Sequence, residues 1–194
     1  CHPFETITGH PCAYWVSKNV SDDFISGKCL SSLAVTKKGL ATSDNNRFLR
    51  LWHEVSWDRI GFNYSSNEMT QNGRHKWFPI NKGGEFRRWY GNREYLINWQ
   101  NDGFAIRNYK DDKGNLLSRP QNTQLNFLPA LTWSKISTGK FAARYCEGGF
   151  LFDDAAAICH STDIDFLKKT LGFLNSKCCQ EFLQILNPTI NIQI

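Results

Sequence analysis

No stretch of this 194-residue chain approaches the ~20 consecutive apolar residues that a membrane helix needs, and no basic-then-apolar leader opens it. These two absences lead to the expectation of a soluble, cytoplasmic protein with no membrane partner. Cys-x-x-Cys is missing too: the seven cysteines lie at positions 1, 12, 29, 146, 159, 178 and 179, odd in number and irregular in spacing. Structural zinc favours such close pairs, so no metal site is expected, and reduced thiols partly buried in a core are expected instead. Internal repeats and low-complexity tracts are also absent. The first residue is not Met, so the chain is read as an excised part of a larger protein.

What is present describes a globular domain. Hydrophobic residues make up 41% and charged ones 21%, which is too apolar for a disordered chain and long enough for one sizeable core. The net charge is +5, and its excess is local. Between Arg74 and Glu94 stand Arg74, Lys76, Lys82, Arg87, Arg88 and Arg93 against Glu85 and Glu94, a surplus of +4. A basic segment interleaved with aromatics fits a polyanion, nucleic acid above all, and equally fits an ordinary solvated face.

Residue patterns give a coarse order of elements. "SDDFISGK" predicts a short helix capped by Ser21 and stopped by Gly27. "LSSLAVTKKGLATSDNNRFLRLWHEV" reads as strand, polar turn, strand, with Phe48, Leu49, Leu51, Trp52 and Val55 facing inward. The span from Trp57 to Asn81 is polar and turn-rich, "REYLINWQNDG" is strand-like until Asn101-Asp102-Gly103, and "NYKDDKGNLLSRPQN" is a loop. Short strands alternate with glycine turns from Ala130 to His160. The end is helical: Phe166, Leu167, Leu171 and Leu174, then Cys178, Phe182, Leu183 and Leu186, with Thr162 or Asp163 as first cap, a break at Asn175-Ser176 and Pro188 as terminator. The class is therefore α+β, β-rich with a C-terminal helix pair. Its expected divisions are a connecting segment over 1–35, a β-rich unit over 36–160 and the helix pair over 161–194.

Chemistry concentrates in "KGGEFRRWYGN", residues 82–92. Gly83 and Gly84 permit close backbone approach to a phosphate or groove wall; Lys82, Arg87, Arg88 and Arg93 supply charge, and burying four cations would be costly. Asn92 closes the block. Trp89 and Tyr90 can fill the core, stack on a displaced base or brace the loop, and at least one is expected in the core. In "SDNNRF", Asn45 and Asn46 suit adenine edges, although Asn is also a common turn former, and Arg47 can reach a phosphate. "TWSKISTGKFAARY" adds Lys135, Lys140 and Arg144 as cations, with Ser134, Ser137 and Thr138 as neutral phosphate donors and Trp133 as core.

The blocks "YWVS", "GLATSDNNRFLRLWHEVS", "KWFPINKGGEFRRWYGN", "LTWSKIS", "FAARY", "GFLFD", "LGFLNSK" and "LNPTIN", in this order, resemble the C-terminal half of PglX-type adenine-specific DNA methyltransferases of BREX phage-defence systems. They also resemble the related type IIG restriction-modification enzymes. The resemblance implies a target-recognition domain similar to TaqI-like specificity domains, with Lys82, Arg87, Arg88, Trp89, Tyr90, Asn92, Arg93, Asn45, Asn46, Arg47, Lys135, Lys140 and Arg144 on double-stranded DNA. It implies that relatives carry glycine where Ser43 stands, and turn residues such as Gly-Pro after "GFLFD", where this chain has "DAAAICH". The family transfers methyl from S-adenosylmethionine to adenine N6, using an Asn/Asp-Pro-Pro-Tyr/Phe motif that holds a flipped base. Asn187-Pro188-Thr189 is not that motif, and no glycine-rich strand-to-helix turn is present. No cofactor and no catalytic residue are therefore expected here; the methyltransferase domain would lie elsewhere in the parent. Two other readings are a docking module for other defence-system subunits and, on the carboxylate pairs Asp111-Asp112 and Asp153-Asp154, a nuclease.

Overall fold

The computed structural model describes residues 16–136 and 140–186. Eight strands are present among them: β1 (Val35–Lys38), β2 (Leu49–Leu51), β3 (Trp77–Asn81), β4 (Tyr95–Asn98), β5 (Ala130–Ser134), β6 (Ala143–Cys146), β7 (Leu151–Phe152) and β8 (Ala156–His160). They form two four-stranded sheets, ordered β1-β8-β5-β6 and β2-β4-β3-β7. The first is antiparallel throughout, with Leu131 opposite both Cys159 and Tyr145. In the second, only β3 and β7 run parallel.

The helices are α1 (Lys18–Ser26), α2 (Asn45–Phe48), α3 (Gln100–Arg107), α4 (Ile164–Leu174) and α5 (Lys177–Leu186). The class is α+β with helices at its C-terminal end. Asp163 caps α4 by accepting from the Phe166 amide, and Ser176 opens α5 by accepting from the Cys179 amide. Leu167, Leu171 and Leu174 bury one stripe of α4 at helical spacing against Leu131, Trp133, Ala143 and Cys159 of the first sheet. Each such leucine contributes about 1.5–3 kcal/mol. On α5 the buried residues are Cys179 and Ile185, whereas Cys178 and Leu186 are exposed, so the inward stripe is offset from the one the sequence suggests. Pro188, the expected terminator, lies outside the described residues. At the other end, Gly27 caps α1 as expected, but Ser17 rather than Ser21 accepts at its N-terminus. This helix rests on α5 through Phe24 against Phe182, ring centroids 5.3 Å apart.

The first sheet is covered on both faces, which is why β5 is buried at all five positions instead of alternating. Its other face contributes Ala130, Cys146 and Ile158 to a cluster with Phe152 of β7, coupling the two sheets. Gly39 sits at this seam: a Cβ there would meet the Phe152 carbonyl oxygen at 2.1 Å. The second core gathers Leu40, Phe48, Phe78, Ile80, Ile97, Trp99, Ile106, Phe127 and Leu151.

Two segments differ from the sequence reading. Trp77–Asn81, placed in a turn-rich span, is a fully buried strand. Pro79 is tolerated because the parallel partner β7 pairs only from Ile80 onward, so the missing N–H leaves no gap in that ladder. Trp52, expected inward, is 55% exposed, because the chain turns out of β2 at that residue.

Candidate nucleic-acid interface

The basic block forms a loop between β3 and β4, closed at its base by the Lys82 amide donating to the Asn92 carbonyl at 3.2 Å. Asn92, in the left-handed region at φ 59°, is buried and donates its side-chain amide to the Glu85 carbonyl at 3.2 Å. The two glycines work inside the fold rather than at a groove wall. A Cβ on Gly83 would meet the Ala155 carbonyl oxygen at 2.3 Å, and the Gly84 amide donates to the Ser134 hydroxyl at 3.1 Å. That hydroxyl also donates to the Gly84 carbonyl, so Ser134, expected as a phosphate donor, fixes the loop.

The tip projects. Glu85, Phe86, Arg87, Arg88, Trp89 and Tyr90 are all exposed. Trp89 at 53% and Tyr90 at 64% exposure are both outside the core, contrary to the expectation that one would be inside. Backbone geometry is the reason. The Trp89 amide donates to the Ala143 carbonyl at 3.0 Å, and its own carbonyl accepts from the Tyr145 amide at 2.9 Å, clamping the loop along the outer edge of β6. With Trp89 held at φ 71°, an unfavourable angle for a bulky residue, its indole stays outside. Phe86, 51% exposed with Arg88 5.5 Å above its ring, joins this surface. The sequence reading passed over Phe86 although it stands inside the quoted block.

The cations divide by environment. Arg88 is exposed, and Arg87 reaches the Glu94 carboxylate at 2.7 Å with both side chains nearly half exposed, a pairing worth little in water. Arg93 is committed inward: its side chain is 9% exposed, it makes two bonds to Glu147 at 2.9 and 2.8 Å, and it donates to the Tyr145 carbonyl at 2.7 Å. Tyr90 and Phe150 flank its guanidinium, ring centroids 4.1 and 4.5 Å away. Burial alone would pull its pKa down, but the Glu147 bonds outweigh it and hold Arg93 above its ordinary value. The expectation that all four cations of the block would be exposed therefore does not hold for Arg93, which braces the loop. Lys82 is half-buried with its Nζ 5.1 Å from the Tyr95 ring centre.

Arg144 is 2% exposed on β6 beneath this loop. Burial, reinforced by the charges of Arg87 and Arg93, pulls its pKa down to about 10. Lys140 is exposed nearby, and Lys135 lies 3.6 Å from Asp154. Ser137 and Thr138, the other expected phosphate donors, lie outside the described residues. Asn45, Asn46 and Arg47 are exposed in α2, capped by the Asp44 carboxylate accepting from the Arg47 amide at 3.0 Å. Asn45 accepts from the Thr42 hydroxyl at 2.8 Å, a turn role, and the Arg47 guanidinium lies 4.9 Å from the Tyr109 ring centre. Ser43 adopts φ 62°, where glycine would be unstrained, and donates to the Leu117 carbonyl at 2.7 Å.

The carboxylate pairs have local duties. Asp111 organises its own turn by accepting from the amides of Lys113 and Asn115. Asp153 is buried, which raises its pKa, and accepts from the Ala155 amide at 2.9 Å. No group of three His, Cys, Asp or Glu able to hold a metal is found among the described residues.

Along nearly its whole length the chain is similar in sequence to a short segment of two adenine-specific methyltransferases. The similar proteins are Adenine-specific methyltransferase PglX of Lacticaseibacillus casei (strain Zhang), 41% identical over 193 residues, and Adenine-specific methyltransferase BrxX of Escherichia coli O9:H4 (strain HS), 38% identical over 191. The alignments cover 98% and 97% of this chain but only 16% and 14% of those proteins. No family model matches the chain. Gly83-Gly84 leads from β3 into an irregular loop rather than a helix, so this pair does not form the glycine-rich strand-to-helix turn of a nucleotide-binding fold.

Proposed function

We propose that this chain is the sequence-specific DNA target-recognition module of an S-adenosylmethionine-dependent N6-adenine methyltransferase in phage defence, with catalysis in another part of the parent protein. We assign residues 36–160 to the recognition unit, 161–194 to the helix pair and 1–35 to a connecting segment. The supporting observation is the loop tip at Arg87, Arg88, Trp89 and Tyr90, held rigidly outward by the β6 edge while its counter-charges stay few. Exposed guanidinium groups neutralise phosphates or donate to guanine edges, and exposed rings stack on bases. Similarity to named adenine methyltransferases makes DNA the polyanion of choice.

The test is duplex affinity against salt for wild type and for the Arg87→Ala/Arg88→Ala double variant. Each lost phosphate contact lowers the slope of log affinity on log salt by about 0.9. Wild-type binding indifferent to salt, or unchanged in the double variant, removes the reading. Three exposed aromatics beside two arginines also suit a protein partner, since such residues anchor interfaces. Capture of a defence-system subunit by a chain that ignores duplex DNA would favour that second reading.

A further inference from the structure

Arg87 and Arg88 are neighbours at the loop tip and both are exposed, yet they are held differently. Arg87 is fixed at two points. Its aliphatic stem lies across Gly91, φ 126°, where an added Cβ would meet the Arg87 Cδ at 2.5 Å, so the bare Cα makes room for it. At the far end, Nη1 stands 2.7 Å from the Glu94 Oε1. Glu94 is itself placed by the sheet: its carbonyl accepts from the Trp52 amide at 3.0 Å, next to the Leu51–Tyr95 pairing of β2 with β4. Arg144, buried beneath the loop, carries a like charge that acts together with that of Arg87 and opposes any inward fold of the Arg87 side chain. Arg88 has none of this. No carboxylate pairs with it among the described residues, and its guanidinium rides 5.5 Å from the centre of the exposed Phe86 ring.

The two settings suit two kinds of contact. A phosphate is a charge that any mobile cation neutralises. A guanine edge presents O6 and N7 in one plane and needs two coplanar donors in a fixed orientation. We propose that Arg87 reads a guanine edge in the major groove, that Glu94 is its positioning residue, and that Arg88 neutralises a backbone phosphate beside it. This rests on the DNA-recognition reading and narrows its target to a site with a G·C pair under the loop tip. The carboxylate holds the guanidinium through one nitrogen and leaves the other donors in a set plane, and a pre-organised fork loses less freedom on binding. Because the pair is nearly half exposed it adds little to stability, so its value lies in orientation. The same carboxylate repels a phosphate, which directs Arg87 away from the DNA backbone and leaves that contact to Arg88.

The experiment offers the whole chain a pool of duplexes with a randomised core, sequences the bound fraction, and measures affinity against salt for the selected site. It compares wild type with Arg87→Lys, which keeps the charge but not the fork, Glu94→Gln, which keeps the shape but not the charge, and Arg88→Ala. These side chains take no part in the backbone bonds that clamp the loop, so the variants are expected to fold. Wild type is expected to select a G·C pair at one position. Replacing that pair with A·T should weaken binding by roughly 5–150-fold, the range for one bidentate contact, and 7-deazaguanine, which lacks only the N7 acceptor, should reproduce part of the loss. Arg87→Lys should keep the wild-type salt slope and lose the guanine preference, and Glu94→Gln should bind at least as tightly overall with that preference several-fold weaker. Arg88→Ala should do the reverse, its slope lower by about 0.9 and its preference intact. A preference that survives Arg87→Lys, disappears with Arg88→Ala instead, or ignores 7-deazaguanine overturns the assignment and leaves DNA recognition standing. A preference lost with Arg87→Lys but untouched by Glu94→Gln upholds the reader and overturns the role of Glu94. Salt-dependent binding without any base preference, or no binding by wild type, defeats the assignment and the recognition reading together.

Discussion

Arg93 and Arg88 lie five residues apart in one basic block, yet the structure gives them opposite duties, and substituting each with alanine separates those duties. Arg93→Ala removes a two-bond pairing with Glu147, a bond to the Tyr145 carbonyl and a cation held between two rings. The pairing is discounted because Glu147 is 59% exposed. The carbonyl bond to a charged donor is worth about 1.5–3 kcal/mol and the ring contacts about 0.5–2. Because these overlap, the expected loss is about 2–4 kcal/mol, which for a chain of this size lowers Tm by roughly 5–15 °C. Arg88→Ala should stay within about 0.5 kcal/mol of wild type, as exposed substitutions do. The assay is urea and thermal unfolding of the three proteins, with duplex binding measured where all are folded. There, Arg88→Ala is expected to lose salt-dependent affinity, whereas Arg93→Ala keeps its salt slope. An Arg93→Ala protein within about 2 °C of wild type would refute the bracing argument.

Other outcomes follow from the packing. Gly103 has φ 69° and a Cβ there would meet the buried Trp99 ring at 2.6 Å, so Gly103→Ala should cost about 2–4 kcal/mol by chemical denaturation. Burial raises the Asp153 pKa, so the folded state binds this proton more tightly than the unfolded one, and Asp153 removes stability as pH rises from its ordinary value near 3.8 through the raised one. Asp153→Asn keeps an acceptor for the Ala155 amide and should abolish that slope, leaving the variant at least as stable as wild type at pH 7; a less stable variant would contradict this. Glu147 behaves oppositely. Burial would raise it, but the Arg93 bonds win and lower it, so its contribution is present above its ordinary pKa near 4.5 and is lost as pH falls through the depressed value; Glu147→Gln should flatten acid unfolding there. Among the described cysteines, Cys29 and Cys178 are exposed, and a hydrogen bond from Ser31 lowers the Cys29 thiol, so these two should label first with a thiol reagent. Cys146, Cys159 and Cys179, pushed up to about 12, 11 and 11 by burial, should label only on unfolding, as read by peptide mass spectrometry.

The C-terminal helices were the most legible elements in the sequence, whereas α2 and α3 were read as a turn and a strand end. Leucines at helical spacing, an aspartate cap and the Asn175-Ser176 break located α4 and the start of α5, because those signals are local. The strand β3 was hidden, since Pro79 and polar neighbours disguise a segment whose burial depends on β4 and β7, both distant in sequence. For the candidate interface, charge density found the right loop. It did not reveal which cations the loop uses, because the partners of Arg93 come from β6 and the turn after it, over fifty residues on, and the loop that covers Arg144 lies as far before it. The exposure of Trp89 was equally illegible, as it follows from a backbone clamp rather than from the residue type.

That clamp also protects the molecule from itself. By occupying the Ala143 carbonyl and the Tyr145 amide, Trp89 shields a strand margin that would otherwise be open to a neighbouring copy. A chain shortened through residues 85–90 would lose more than its positive tip: it would bare a sticky seam, and such a deletion should precipitate or form strand-paired oligomers where single substitutions remain dispersed.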